Sequence, residues 1–211
     1  MSQTRINRWH KWAAWLMTAM LACLLALVLV SWFLSAAAPE LPVRSLLSSE
    51  GIRWFMGQFA YNISHPAMGW LLLTAMAAGA VNHSGLYIAL TKITHPRRLG
   101  FRERFALRLV AFEMIVAVAV MLLLTLLPHA ILLNVEGGLG HSSFSASVYP
   151  YSMLAIIVCS VTYAMMSGRH RSLTEMYTTI WIGLRECAFL FPILLMILLL
   201  WKSIAFIFFE K

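Results

Sequence analysis

This sequence predicts an all-α integral membrane protein, a bundle of about five transmembrane helices with amphipathic interfacial helices beside them. Three observations carry that expectation. The chain of 211 residues is 61% hydrophobic and only 11% charged. Its mean hydropathy is +0.80. The apolar residues gather into five stretches, and the segments between them hold most of the charge. A soluble domain cannot cover so much apolar surface, so lipid must be the solvent.

The first span is placed at residues 12–34, longer than the roughly 20 helical residues that cross a hydrocarbon core. Arg5, Arg8 and Lys11 precede it and Ala36, Ala37 and Ala38 follow, as in a secretory signal. Signal cores run to about 15 residues, so an uncleaved anchor is expected. The connection over 35–65 holds Ile52, Phe55, Met56 and Phe59 at helical spacing, with Trp54 beside them. An interfacial helix over 48–61 follows, with Glu50 and Arg53 turned to water.

The second span, 66–90, is rich in small residues. Its Ala75 and Gly79 form a small-xxx-small pair of the kind that lets another helix approach closely. The third is placed at 109–133, stopping near Pro128, and the fourth at 150–166. Ser172 and Glu175 have capping-box spacing. Leu173, Met176, Tyr177, Ile180, Trp181 and Leu184 then recur at three- and four-residue steps, with Thr174, Thr178, Thr179, Arg185 and Glu186 on the other side. An interfacial helix over 173–187 is expected, feeding a fifth span at 188–209 that Pro192 is expected to kink where it joins. Lys202 lies far enough along that span to snorkel to the interface.

Lys and Arg set the orientation. With the N-terminus inside, twelve of the sixteen basic residues are cytoplasmic, and Arg44, Arg53, Lys202 and Lys211 remain outside. The bias favours N-in, five passes and C-out. The same distribution explains the net charge of +8 without nucleic acid.

Chemistry has few candidates. All eight acidic residues are Glu, which disfavours mechanisms built on Asp. No P-loop, HExxH, GxSxG or nucleophile–base constellation occurs, so no enzyme is expected. Cys23, Cys159 and Cys187 are odd in number and lack a CxxC, and read as buried free thiols. Asn82, His83, Ser84 and Gly85 form the densest polar cluster in any span and are the candidates for a substrate pathway. Glu113 is the single acidic residue of the third span, and pairing with Arg104 or Arg108, or snorkelling to the cytoplasmic interface, is expected ahead of a proton relay. His65 and His129, each beside a proline and expected on the same side, are the pair that could hold one haem iron. Water or headgroup contacts are the plainer reading, and neither metal nor cofactor is expected.

Two segments carry a family likeness. Residues 44–90 contain Ser45-Leu-Leu-Ser-Ser-Glu-Gly-Ile-Arg-Trp54, a proline-led helix start and Gly79-Ala-Val-Asn-His-Ser-Gly-Leu86. Residues 101–190 contain a basic Glu-Arg entry, a Leu-rich helix ending at proline, the run Glu136-Gly137-Gly138, and a helix start of Ser-x-x-x-Pro form. The chain thereby resembles the p-aminobenzoyl-glutamate transporter family, AbgT. The resemblance implies a bacterial inner-membrane protein, an oligomer or a subunit among other membrane proteins, handling a small aromatic acid with proton coupling. Such transporters place substrate at re-entrant, broken helices. This chain departs from the pattern. Only ten residues separate Leu90 from Phe101, where the family carries its first hairpin, and Asn82 replaces a family Glu. The family's substrate-binding residues therefore have no counterparts here to inherit the role.

Overall fold

The computed structural model describes residues 3–38, 40, 42–92, 100–126 and 142–209, with side chains from residue 11 onward except at Leu126. Among them the chain is helical, in the order α1 (Gln3–Ala37), α2 (Ser49–Gly57), α3 (Phe59–Ile63), α4 (Pro66–Ser84), α5 (Leu86–Thr91), α6 (Phe101–Leu126), α7 (Ser143–Met166), α8 (Leu173–Cys187) and α9 (Leu190–Phe208). The end of the expected third span, Pro128, His129 and the Glu136-Gly137-Gly138 run lie outside the described residues.

Four helical stretches among the described residues are long and apolar enough to cross a membrane: Lys11–Ala37, Phe101–Thr125, Ser143–Met166 and Leu190–Phe208. The protein is an all-α membrane protein. The segment expected as a continuous second span is different, because Gly85 takes a left-handed conformation (φ 77°) and divides it into α4 and α5. Asn82, His83 and Ser84 lower the apolarity of α4 just before that break. The helix still carries 19 residues, about 28 Å at 1.5 Å per residue.

The chain forms two compact units. The first, residues 1–69 and 188–211, sets α1 beside α9. Ser31 of α1 is buried; its hydroxyl donates to the Val28 carbonyl and accepts the Leu46 amide. The amide of Arg44 in turn donates to the Ile207 carbonyl. Ser48 caps α2 by accepting the Gly51 amide at 3.0 Å. The expected 48–61 helix is split at Gln58, and the residue that anchors it is Trp54, stacked on Phe206 with ring centroids 4.4 Å apart. Ile52 and Met56, on the apolar side of the expected interfacial helix, are exposed. Glu50 pairs with Arg44 at 3.3 Å. Lys202 lies with its ammonium 5.6 Å from the Tyr61 ring centroid rather than free. Pro192 sits in the first turn of α9, where no amide is needed, and α8 and α9 are separate helices joined at Ala188 and Phe189.

The second unit, residues 70–187, contains α5 to α8 and most of α4. Helices α6 and α7 run antiparallel, joined across their length by Ala106 with Tyr163, by Cys159 facing the Val110 carbonyl, and by Tyr151 donating to the Ala117 carbonyl at 2.9 Å. Helix α7 starts at Ser143, earlier than expected, capped by Ser142, and carries Pro150 within it. Helix α4 runs parallel to α7. Trp70 and Thr74 meet Tyr149, Ala77 and Ala80 meet Ile157, and Leu86 and Ala89 of α5 join Cys159 and Tyr163. The broken helix thus runs beside α7 from Tyr149 to Tyr163.

Candidate functional site

The small-residue pair of α4 has its partner in α8. A Cβ added at Gly79 would meet the Gly183 backbone, and one added at Gly183 would meet the Ala75 carbonyl. Ala75 is 3% exposed. The helix expected to approach this small-residue face is therefore α8 of the same chain. On α8, Thr174, Arg185 and Glu186 of the expected polar side are exposed, whereas Thr179 from that side is buried. The buried residues of α8 are Thr179 and Gly183, while Leu173 and Tyr177 stand exposed. In lipid the small and polar stripe faces protein and the bulky apolar side faces hydrocarbon, so the helix turns Thr179 and Gly183 inward.

That close approach assembles a polar node at the end of α4. His83 Nδ1 lies 3.1 Å from Thr179 Oγ1, and His170 Nδ1 lies 3.2 Å from the same oxygen. The Thr179 hydroxyl also donates to the Glu175 carbonyl at 2.9 Å. A hydroxyl has one proton and two acceptor sites. The carbonyl can only accept, so the proton goes there and both Nδ1 atoms donate to Thr179. Each neutral imidazole then keeps a lone pair on Nε2. The two rings stack with centroids 4.9 Å apart and planes 24° from parallel.

Glu175 holds the other side of the node. Its Oε2 accepts the amides of Arg171 at 2.8 Å and Ser172 at 3.3 Å, as a capping carboxylate does. Those two amides place its carboxyl below the usual carboxylate range. His170 is held below the ordinary histidine value, first by burial, then by His83 and Arg169, with Glu175 opposing. The guanidinium of Arg169 lies against Gly85, where a side chain would collide with it. Both Arg169 and His170 amides donate to the Ala164 carbonyl, which fixes this turn at the end of α7.

Of the four residues expected to line one path, only His83 joins the node directly. Asn82 is exposed. Ser84 is buried and serves the helix break, donating to the Val81 carbonyl and accepting the Leu86 amide. Gly85 supplies the left-handed turn and the space for Arg169. His170, Thr179 and Gly183 were not among the expected site residues. The signal for two of them was the four-residue spacing of Thr179 and Gly183, which matches that of Ala75 and Gly79.

Glu113 does not pair with Arg104 or Arg108. At 100° per residue, five- and nine-residue separations put those arginines about 140° and 180° around α6 from it. Glu113 instead lines a groove between α6 and α7, and its Oε2 is buried with no hydrogen-bond partner among the described residues. Among the described residues no group of three or more His, Cys, Asp or Glu is placed to hold a metal ion. Of the haem pair, His65 accepts the Ala67 amide on Nδ1 at the start of α4, and His129 lies outside the described residues.

Comparison of the chain with protein-family models, with curated proteins and with solved structures gives no match in any of the three.

Proposed function

We propose that the chain is a transporter-like protein of a bacterial inner membrane, a shortened relative of the AbgT transporters, working as an oligomer or as a subunit of a transport assembly. The observation that carries this reading is the helix break at Gly85, with Arg169 laid against it and the His83–Thr179–His170 node one turn away. Broken helices at membrane depth are the usual means of presenting backbone and side-chain groups to a charged substrate. Two imidazoles bridged by one hydroxyl offer a place to take up and release a proton, and the adjacent guanidinium favours an anion. A small aromatic carboxylate is the substrate class that suits both features and the family likeness.

The orientation of this reading is N-terminus inside, five passes, C-terminus outside. The parallel packing of α4 and α5 on α7 supports the fifth pass, since the broken helix follows α7 from Tyr149 to Tyr163.

Uptake of p-aminobenzoate into vesicles reconstituted with the purified protein tests the proposal. Proton-driven uptake is expected for the wild type and a loss of most of it for the double variant His83→Ala, Thr179→Val. Wild-type vesicles no more permeable than empty ones would defeat the self-contained transporter. Co-purification of another membrane protein would then favour the subunit form.

A further inference from the structure

The second unit contains a further feature that the polar node does not use. A groove of about 440 Å³ lies between α6 and α7, lined among others by Phe112, Val116, Leu154 and Val158. This volume is within the roughly 300–1,000 Å³ of small-molecule sites. Its lining is apolar except for Glu113, Tyr151 and Cys159. The Tyr151 hydroxyl is already committed to the Ala117 carbonyl, and the Cys159 thiol is shared between the Val110 carbonyl at 4.0 Å and the Glu113 carboxyl. Glu113 is left with a buried oxygen that has no hydrogen-bond partner among the described residues. No Lys, Arg or His lines the groove to balance it.

An intramembrane acidic side chain with no opposite charge beside it is costly, and such groups face a pathway or a counter-ion. A cation supplies the missing counter-charge, and the apolar walls require most of its body to be hydrocarbon. The groove's rim is formed by residues that stand exposed on the helix surfaces, among them Phe112 at 63% and Val158 at 57%. Access is therefore sideways, from the bilayer.

We propose that the groove between α6 and α7 binds a lipophilic monovalent cation, of the quaternary ammonium or phosphonium class or a protonated aromatic amine, through charge pairing with Glu113. This site goes beyond the transport reading above. It depends on neither the His83 node nor an aromatic acid.

Binding of radiolabelled tetraphenylphosphonium to the full chain in lipid nanodiscs, with empty nanodiscs subtracted, tests the proposal. Saturable binding is expected, weakened about tenfold or more by Glu113→Gln, which removes the charge and keeps the shape. Glu113→Asp keeps the charge on a shorter stem and is expected to bind with intermediate strength, which separates lost charge from lost folding. Equal binding by wild type and Glu113→Gln, or no saturable binding at all, would each overturn the proposal. The first outcome would mark the groove as a bed for acyl chains alone. Because binding is read without flux, this test can fail while transport succeeds, and the reverse.

Discussion

The imidazoles of His83 and His170 lie stacked, 4.9 Å between centroids, and both turn Nδ1 to the Thr179 hydroxyl. One oxygen thus ties the end of α4 to α8 and to the turn before it. Replacing Thr179 with Val keeps the shape and leaves two imidazole N–H groups without an acceptor. We expect a loss of about 1–3 kcal/mol, measured by denaturant titration in mixed micelles. Thr178→Val is the control, since that hydroxyl bonds only its own helix at Thr174, and its effect is expected to stay within about 0.5 kcal/mol.

The same node sets a pH dependence. His170 is held below its ordinary value of 6.5, chiefly by burial and by His83. The folded chain therefore binds fewer protons there than the unfolded chain, and stability rises with pH through this range. The contribution is complete above about pH 6.5 and declines as pH falls through the lower native value. Glu175 is lowered from 4.5, so its contribution persists to more acid conditions and is lost as pH falls through its own depressed value. Thermal unfolding across pH is expected to show the first decline in the wild type and a flatter curve over that range in His170→Gln.

Gly79 and Gly183 let α4 and α8 touch backbone to backbone. Alanine at Gly183 would press on the Ala75 carbonyl and the Gly79 backbone, which a rotamer change cannot relieve. The helices must separate, at a cost of about 1–3 kcal/mol or more. The His83–Thr179 bond lies one turn along the same seam. Imidazole proton resonances of His83 and His170 are therefore expected to move in Gly183→Ala and to stay fixed in Gly57→Ala, whose Cβ meets open space.

Gly85 and Gly69 make opposite predictions for one substitution. Alanine at Gly85 must take a left-handed backbone and displace the Arg169 guanidinium. The conformation alone costs about 1–2 kcal/mol. Alanine at Gly69, inside α4 with nothing within 4 Å of its Cβ, is expected to stabilise by about 0.5–1 kcal/mol. Reversible unfolding of the two variants side by side distinguishes them.

Composition was enough to read the helical membrane class, because few soluble chains carry so little charge. Four spans could be placed from apolar length alone. The second was harder. Its pattern of small residues was legible, but whether Gly85 continues or breaks the helix depends on Arg169, far along the chain, occupying the space a Cβ would fill. The amphipathic pattern of α8 located the helix but left Thr179 on its polar side, where the structure buries it. Periodicity reports which residues share a side, and only the solvent decides which side turns inward. In lipid the Thr179–Gly183 stripe is the protein side. His83 was visible as a polar residue in a span, whereas His170 reads as part of a basic loop until the turn at Gly168 brings it back.

Five crossings require the broken α4–α5 segment to pass through the bilayer beside α7, because that pass makes the number of crossings odd. Fluorescent and phosphatase reporters fused in separate copies to the last residue of the full chain, and expressed in intact bacteria, read this directly. An active external phosphatase and a dark cytoplasmic fluorophore at the C-terminus, with the N-terminus inside, are the predicted result. Both termini on the same side would mean that this segment turns back within the membrane, and the five-pass account would fail.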